Sequence, residues 1–280
     1  MTTTMSAVDR ALGYLAAEGR PVDLAWTRAA CFGRPQEPAL AALAAYQNDD
    51  GGIGHGLEVD IAAPVGNPFA ARLALQVHLA VGTPADHPTL IRLVGWLEAN
   101  QGDDGDWRFA PSVYEHDLAP WFAGWTFPSL NPSLCLGGLL GRLGLGSDRL
   151  HARCRALFAA KANLDELASG GFYAVLPYAE AVPWLSGLAD RDVYLAALTE
   201  RIARDLRAGA YEDAEHAFAH IGPPDGPVAR RLPSDLLAAA LERLRGEQEA
   251  DGGWPTPYAP AWRSWGTATS AATLAAFGSG

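Results

Sequence analysis

Apolar positions recur along this chain in short stretches of helical spacing. Residues 38–46, 89–99 and 234–247 each place Ala, Leu or Ile at three- and four-residue intervals, the pattern of a helix with one buried face. In the last of these, Leu236, Leu237, Ala240, Leu241 and Leu244 form the face, and Ser234-Asp235 after Pro233 marks the start. A second kind of segment, at residues 134–140 and 271–277, is apolar nearly all round, so its helix must be buried on several sides. Asn67-Pro68 predicts the start of one such helix over residues 69–80, and Asn131-Pro132 that of another over residues 133–142. Asn supplies an N-cap oxygen, and proline fits the first helical position. Gly266-Thr267 marks the expected start of the last, over residues 268–277.

Between the two kinds of helix lies a repeated turn. Gln47-Asn-Asp-Asp-Gly-Gly-Ile53, Gln101-Gly-Asp-Asp-Gly-Asp-Trp107 and Gln248-Glu-Ala-Asp-Gly-Gly-Trp254 share one pattern. Their starts fit a period of about 50 residues, in the range of two-helix repeats, with two degenerate copies between the second and third. Gly170-Gly171-Phe172 is a candidate for one of those. The glycines permit positive φ and a sharp reversal, the Asp can accept backbone N–H bonds, and Gln and Trp can tie and cover the turn. The unit is helix, turn, loop, helix, and five to six units fit in 280 residues. The expected fold is all-α, one domain over residues 1–280, closed into a ring with the apolar helices inside. The rival, an open solenoid, needs polar capping helices, and the C-terminal helix is too apolar to be one.

This pattern resembles the superfamily of squalene–hopene cyclases and protein prenyltransferase β subunits. Gln101 to Trp107 and Gln248 to Trp254 are similar to its Gln-Trp repeat. The last unit, with Trp262 and Trp265-Gly266-Thr267, looks like the cyclase version; the first, with Gly56-Leu-Glu58-Val-Asp60, looks like the prenyltransferase version. The resemblance implies an α/α toroid of the α6/α6 type and a hydrophobic, isoprenoid-like substrate. The chain contains neither the Asp-x-Asp-Asp acid string of class II cyclases nor the Asp-x-Cys zinc string of prenyltransferases.

Composition narrows the partners. Apolar residues make up 49% of the chain and charged residues 19%, which excludes a disordered chain. The net charge of −11, with no Lys/Arg cluster, excludes nucleic acid. Three unspaced cysteines, Cys31, Cys135 and Cys154, exclude a disulfide framework and are expected to be buried apolar residues. Residues 1–14 read as a soluble start rather than a signal peptide, and no window has the apolar length of a membrane span. The expected compartment is the cytoplasm.

Three constellations could carry chemistry. His55, Glu58 and Asp60 lie between the first turn and the helix opened by Asn67. They could act as acid and base on an alkene or epoxide, or bind a hard divalent metal. The alternative is that Glu58 and Asp60 cap the next helix and pair with Arg72. Tyr114, Glu115, His116 and Asp117 precede the equivalent helix of the second unit, with Trp121 and Trp125 following. Acids beside aromatic faces suit a cationic intermediate; the alternative is a packed loop. Glu212, Asp213, Glu215 and His216 with His220 put two histidines at i, i+4, a spacing that can ligate metal, although a solvated helix face is the plainer expectation. No Walker loop, Rossmann fingerprint or nucleophile elbow occurs.

The sequence therefore points to a terpene-cyclase-like enzyme with Glu58, Asp60 and Asp117 as acids, His55 and His116 as their partners, and Tyr114, Trp121, Trp125, Trp262 and Trp265 shaping a pocket. The alternatives are a lipid- or peptide-binding ring without catalysis, and a metal-dependent hydrolase or lyase built on His55, Glu58 and Asp60.

Overall fold

The computed structural model describes residues 5–278; the first four residues of the amino-terminal stretch read above lie outside them. Regular structure among the described residues is helical apart from two isolated β-bridges. The helices are α1 (Ala7–Glu18), α2 (Pro21–Phe32), α3 (Glu37–Ala44), α4 (Pro68–Val81), α5 (Pro88–Asn100), α6 (Pro120–Ala123), α7 (Leu130–Leu143), α8 (Asp148–Lys161), α9 (Leu164–Ser169), α10 (Phe172–Ala181), α11 (Arg191–Ala208), α12 (Ala214–Ile221), α13 (Ser234–Gly246) and α14 (Trp262–Ala276). Among the described residues, none is long and apolar enough to cross a membrane.

Set aside the short α6 and α9, and the helices fall into six consecutive pairs: α1/α2, α3/α4, α5/α7, α8/α10, α11/α12 and α13/α14. The chain divides into two compact units, Met1–Ala42 with Thr199–Gly280 and Leu43–Leu198. In the second unit α7 packs against α4, α8 and α10; in the first, α14 packs against α1 and α2. The helix starts follow the sequence. Asn67 caps α4 by accepting from the Ala70 amide at 2.9 Å, with Pro68 at the first position. Asn131 is non-helical, so regular helix in α7 begins at Pro132. In α14 the helix starts at Trp262, four residues before Gly266. Thr267 is therefore not a cap; inside the helix, its hydroxyl accepts the Trp254 amide at 3.0 Å.

The three repeat turns share one geometry. In each, the Gln Nε2 donates to the carbonyl of the turn glycine and to a carbonyl in the first turn of another helix. Gln47 takes Gly51 at 3.0 Å and Thr89 of α5 at 2.9 Å. Gln101 takes Gly105 at 3.4 Å and Leu150 of α8 at 3.3 Å. Gln248 takes Gly252 and Ala7 of α1, both at 2.8 Å. The turn glycines have φ between +85° and +94°. A Cβ on Gly51, Gly105 or Gly252 would meet the carbonyl oxygen of Arg92, Arg153 or Arg10 at 2.2–2.3 Å. The Trp107 and Trp254 indoles donate back to Leu97 and Leu244 at 2.9 and 2.6 Å. Gly170-Gly171 departs from this scheme. Both glycines have negative φ and serve as the C-cap of α9 and the N-cap of α10, so this is a helix junction and not a repeat turn.

Gly138 of α7 permits a close approach to α10. A Cβ there would lie 2.0 Å from the Glu180 carbonyl oxygen of α10. Gly138→Ala should therefore force these helices apart and destabilise the protein by about 1–3 kcal/mol, the usual cost of overpacking. Thermal unfolding measures this directly; an unchanged midpoint would show that α7 and α10 are not held this closely.

Candidate active site

The first two constellations, nearly sixty positions apart, meet in space. Ile61 and Leu118 form an antiparallel bridge. The Ala62 amide donates to the Asp117 carbonyl at 3.0 Å, and the Ala119 amide to the Asp60 carbonyl at 2.9 Å. The loop after the first repeat turn is thereby tied to the loop after the second. Side chains alternate along such a pairing. Ile61 is fully buried, and its neighbours Ala62 and Asp117 face solvent.

The candidate acids and bases differ in exposure. Asp117 and His116 are exposed and Asp60 is half-buried. His55 is also exposed; it adopts positive φ, and its Nε2 bonds the Asn48 Oδ1 at 2.8 Å. Glu58 is buried, at 6% exposure, and its Oε1 lies 3.4 Å from the Asp60 amide. A metal centre on His55, Glu58 and Asp60 does not form: the imidazole is turned to Asn48. Among the described residues the three ligand atoms that converge are those of Asp213, Glu215 and His216.

Beneath the paired loops lies an aromatic cluster built on Phe69 at the start of α4. Phe122 and Trp125 meet Phe69 edge-on at 4.6 and 5.0 Å, and Phe109 lies tilted at 5.7 Å. Trp125 is half-buried, with its indole N–H shielded from solvent and unpaired. Tyr114 sets its ring edge on Phe109 at 5.7 Å but stays 48% exposed, and Trp121 is 52% exposed. The other two candidate aromatics belong to the first unit. Trp265 is buried against Trp26 at 5.9 Å, and Trp262 is half-buried.

A polar group absent from the sequence reading adjoins this cluster. Phe69, Arg72 and Gln76 lie on one face of α4 by their i, i+3 and i, i+4 spacing. Arg72 forms a two-pronged ion pair with Glu180 of α10, with Nε to Oε2 at 2.9 Å. Gln76 donates to the Glu180 Oε1 at 3.0 Å. Burial works against the Arg72 charge, yet the Glu180 carboxylate, with a further contribution from Glu58, holds its pKa above the ordinary value. Burial, then Glu180, pushes the Cys135 thiol of α7 far up, so it stays protonated. The signal was present in the sequence. Glu180 is the one charged residue of α10, and Arg72 the one Arg or acid of α4. A lone charge on an apolar helix requires a partner. The alternative partner expected for Glu58 and Asp60 thus binds Glu180 directly, and Glu58 acts on it only as a nearby charge.

Two further residues differ from expectation. His216 and His220 are buried, at 6% and 3% exposure, where a solvated face was expected. They also do not act together: the His220 Nδ1 meets the Tyr211 hydroxyl at 3.1 Å, while His216 turns to Asp213 and Tyr258. Cys135 and Cys154 are buried as expected, whereas Cys31 is half-buried.

Removing either half of the Arg72–Glu180 pair strands a buried charge. Arg72→Met should cost roughly 3–5 kcal/mol, and adding Glu180→Met should restore much of it. Chemical denaturation of the single and double variants checks this; equal losses in both would place the stability elsewhere.

No family model matches the chain, and no curated protein matches it. Solved structures that share its fold include these two. One is a crystal structure of a protein from Actinoplanes, 17% identical, with 98% of each chain covered and a TM-score of 0.59. The other is the apo structure of the type II terpene cyclase MstE from Scytonema, 14% identical, with 96% of each chain covered and a TM-score of 0.59. The chain therefore has a terpene-cyclase-like, α/α-toroid fold.

Proposed function

We propose that this chain is an enzyme of terpene-cyclase type that acts on an isoprenoid or similarly hydrophobic small molecule. The observation that carries the proposal is the fold shared with a type II terpene cyclase over 96% of both chains. Local support comes from Glu58, a buried carboxylate in a loop tied down over the aromatic cluster of Phe69, Phe122 and Trp125.

In this reading Glu58 takes up a proton from solvent before the substrate closes the site and gives it to an alkene or epoxide, leaving a carboxylate and a carbocation. Aromatic faces stabilise the cation, here those of Phe122 and Trp125 beside Phe69. Asp60 positions Glu58 through its amide. Asp117, His116 and His55 stand in solvent, where water would quench a cation, so the proton is assigned to Glu58 and these three are left to the final deprotonation or to none. Tyr114 and Trp121 present exposed ring surface for a hydrophobic substrate.

A second reading rests on the missing acid string and on those same exposed rings: a ring that binds a lipid or peptide without turning it over. One experiment separates the two. The purified protein is incubated with farnesyl and geranylgeranyl diphosphates and with squalene, and products are identified by mass spectrometry. The enzyme reading expects cyclised product, lost by about 10²–10⁴-fold in Glu58→Gln, the usual weight of general-acid catalysis. Undiminished turnover in a folded Glu58→Gln protein would remove Glu58 from the chemistry. Tight binding with no product would establish the binding reading instead.

A further inference from the structure

The second repeat turn departs from the other two at one position. Gly52 and Gly253 stand where this turn has Asp106. A Cβ on Gly52 would meet the Trp96 Nε1 at 2.6 Å, and one on Gly253 the Arg263 Nη2 at 2.8 Å. In those turns a neighbouring side chain closes the space beside the glycine. In the second turn a carboxylate occupies it, and Asp106 is fully buried.

One oxygen of Asp106 has a structural task. Its Oδ1 accepts the Ser133 hydroxyl at 2.6 Å and the Ser129 amide at 3.4 Å, at the start of α7. Oδ2 is different: it is shielded from water, and no hydrogen bond reaches it. The Arg108 Nε stands 3.8 Å away, beyond hydrogen-bonding distance. The terminal nitrogens of Arg108 are drawn to Asp104 instead, with Nη1 to Oδ1 at 3.2 Å. A buried carboxylate oxygen without a donor is costly. Burial pushes the Asp106 carboxyl above its ordinary pKa, against the Ser133 bond. An asparagine would serve Ser133 and Ser129 as well and would avoid the charge.

The carboxylate borders a cavity of about 250 Å³ in the second unit, whose wall includes Gly66, Trp96, Asn100, Asp106, Arg108 and Phe109. Trp96 and Phe109 are buried, so its aromatic part is fixed. Asn100 is exposed and stands at the rim. Its Nδ2 donates to the Trp96 carbonyl at 2.8 Å, so the amide oxygen is what it can offer a guest. The polar atoms left over, Asp106 Oδ2 and Asn100 Oδ1, are both acceptors. They call for a donor, and a carboxylate beside an indole and a phenyl ring calls for a positive one. The cavity is a little smaller than the pockets that hold drug-sized ligands, so the guest is small.

We infer that this cavity binds a small organic ammonium ion, with its N–H donors turned to Asp106 and Asn100 and its apolar body against Trp96 and Phe109. Arg108, 44% exposed, is the side chain that gives way as the ammonium reaches Oδ2. The site shares Phe109 with the aromatic cluster, but it does not use Glu58 and does not depend on the cyclase reading.

The full-length protein is titrated calorimetrically at neutral pH with 2-phenylethylamine, which is protonated there, and with 2-phenylethanol, its neutral counterpart of the same shape. One amine per chain is expected, with the alcohol weaker by at least about tenfold, the weight of a charged hydrogen bond. Asp106→Asn keeps an acceptor for Ser133; it should weaken the amine by a similar factor and leave the alcohol unchanged. Asn100→Lys, at an exposed position, puts a like charge at the rim and should also weaken the amine. Asp103→Asn removes an equal charge from the same turn, at a side chain 97% exposed, and should bind nearly as the parent does. Absence of saturable amine binding, equal affinity for amine and alcohol, or undiminished amine affinity in both Asp106→Asn and Asn100→Lys would overturn the inference. Because binding and not turnover is measured, the outcome is separate from that of the Glu58 experiment.

Discussion

Each repeat turn must reverse the chain and also hold a helix from a different pair. One glutamine amide group does both. Its two N–H donors take the turn glycine's carbonyl and a carbonyl in the first turn of a helix from another pair, at Gln47, Gln101 and Gln248 alike. The contact works only at close range, because the glycine must press its α-carbon against an arginine carbonyl of that helix. Each such hydrogen bond is worth only about 0.5–1.5 kcal/mol net, but the geometry it imposes is demanding. Any side chain on the glycine would break the approach, and a shorter polar residue in place of glutamine would not reach. The last copy has a larger consequence. Gln248 reaches back to Ala7, so the turn that precedes α14 is fastened to α1.

The same constraint explains what could be read directly. A turn that must satisfy fixed donors and acceptors keeps its residues, so three copies were legible, and with them the helix pairing. Asn67 was legible for a similar reason, since its side chain does a backbone group's work. Where packing alone sets the structure, the sequence was less explicit. Gly170-Gly171 copies the letters of a turn but joins two helices, because no glutamine precedes it to bind a neighbour. The start of α14 was placed late, because Thr267 has cap chemistry and spends it on the Trp254 amide. His216 and His220 looked solvated because their neighbours in sequence are acidic. Burial of α12 depends on α13 and α14, which no local window contains.

The candidate site divides in the same way. That the two acidic loops lie beside each other follows from a single bridge between Ile61 and Leu118, a contact with no sequence signal beyond one apolar residue in each loop. Within those loops Glu58 is buried and Asp117 exposed, although the two were equivalent as letters. Charge count alone could not have separated them.

The pair of Arg72 and Glu180 shows how a polar contact can be built through apolar helices. The residues sit on α4 and α10, and α7 packs between these helices and touches both. A typical α7, with leucines at this level, would separate them. Instead α7 presents Cys135, whose thiol feels both charges, and Gly138, pressed on the Glu180 backbone. Small side chains on the middle helix thus open the lane along which the guanidinium reaches the carboxylate. The cost of burying two charges is then offset by two-pronged geometry and by the Gln76 amide, which satisfies a further lone pair of Glu180. The glycines of α7 are therefore more than permissive packing. They let α7 lie against the Glu180 backbone, while Arg72 and Gln76 of α4 close on the carboxylate of the same residue. Phe69 lies on that same face of α4 by its i, i+3 spacing to Arg72, so the ion pair and the aromatic wall share one helix face.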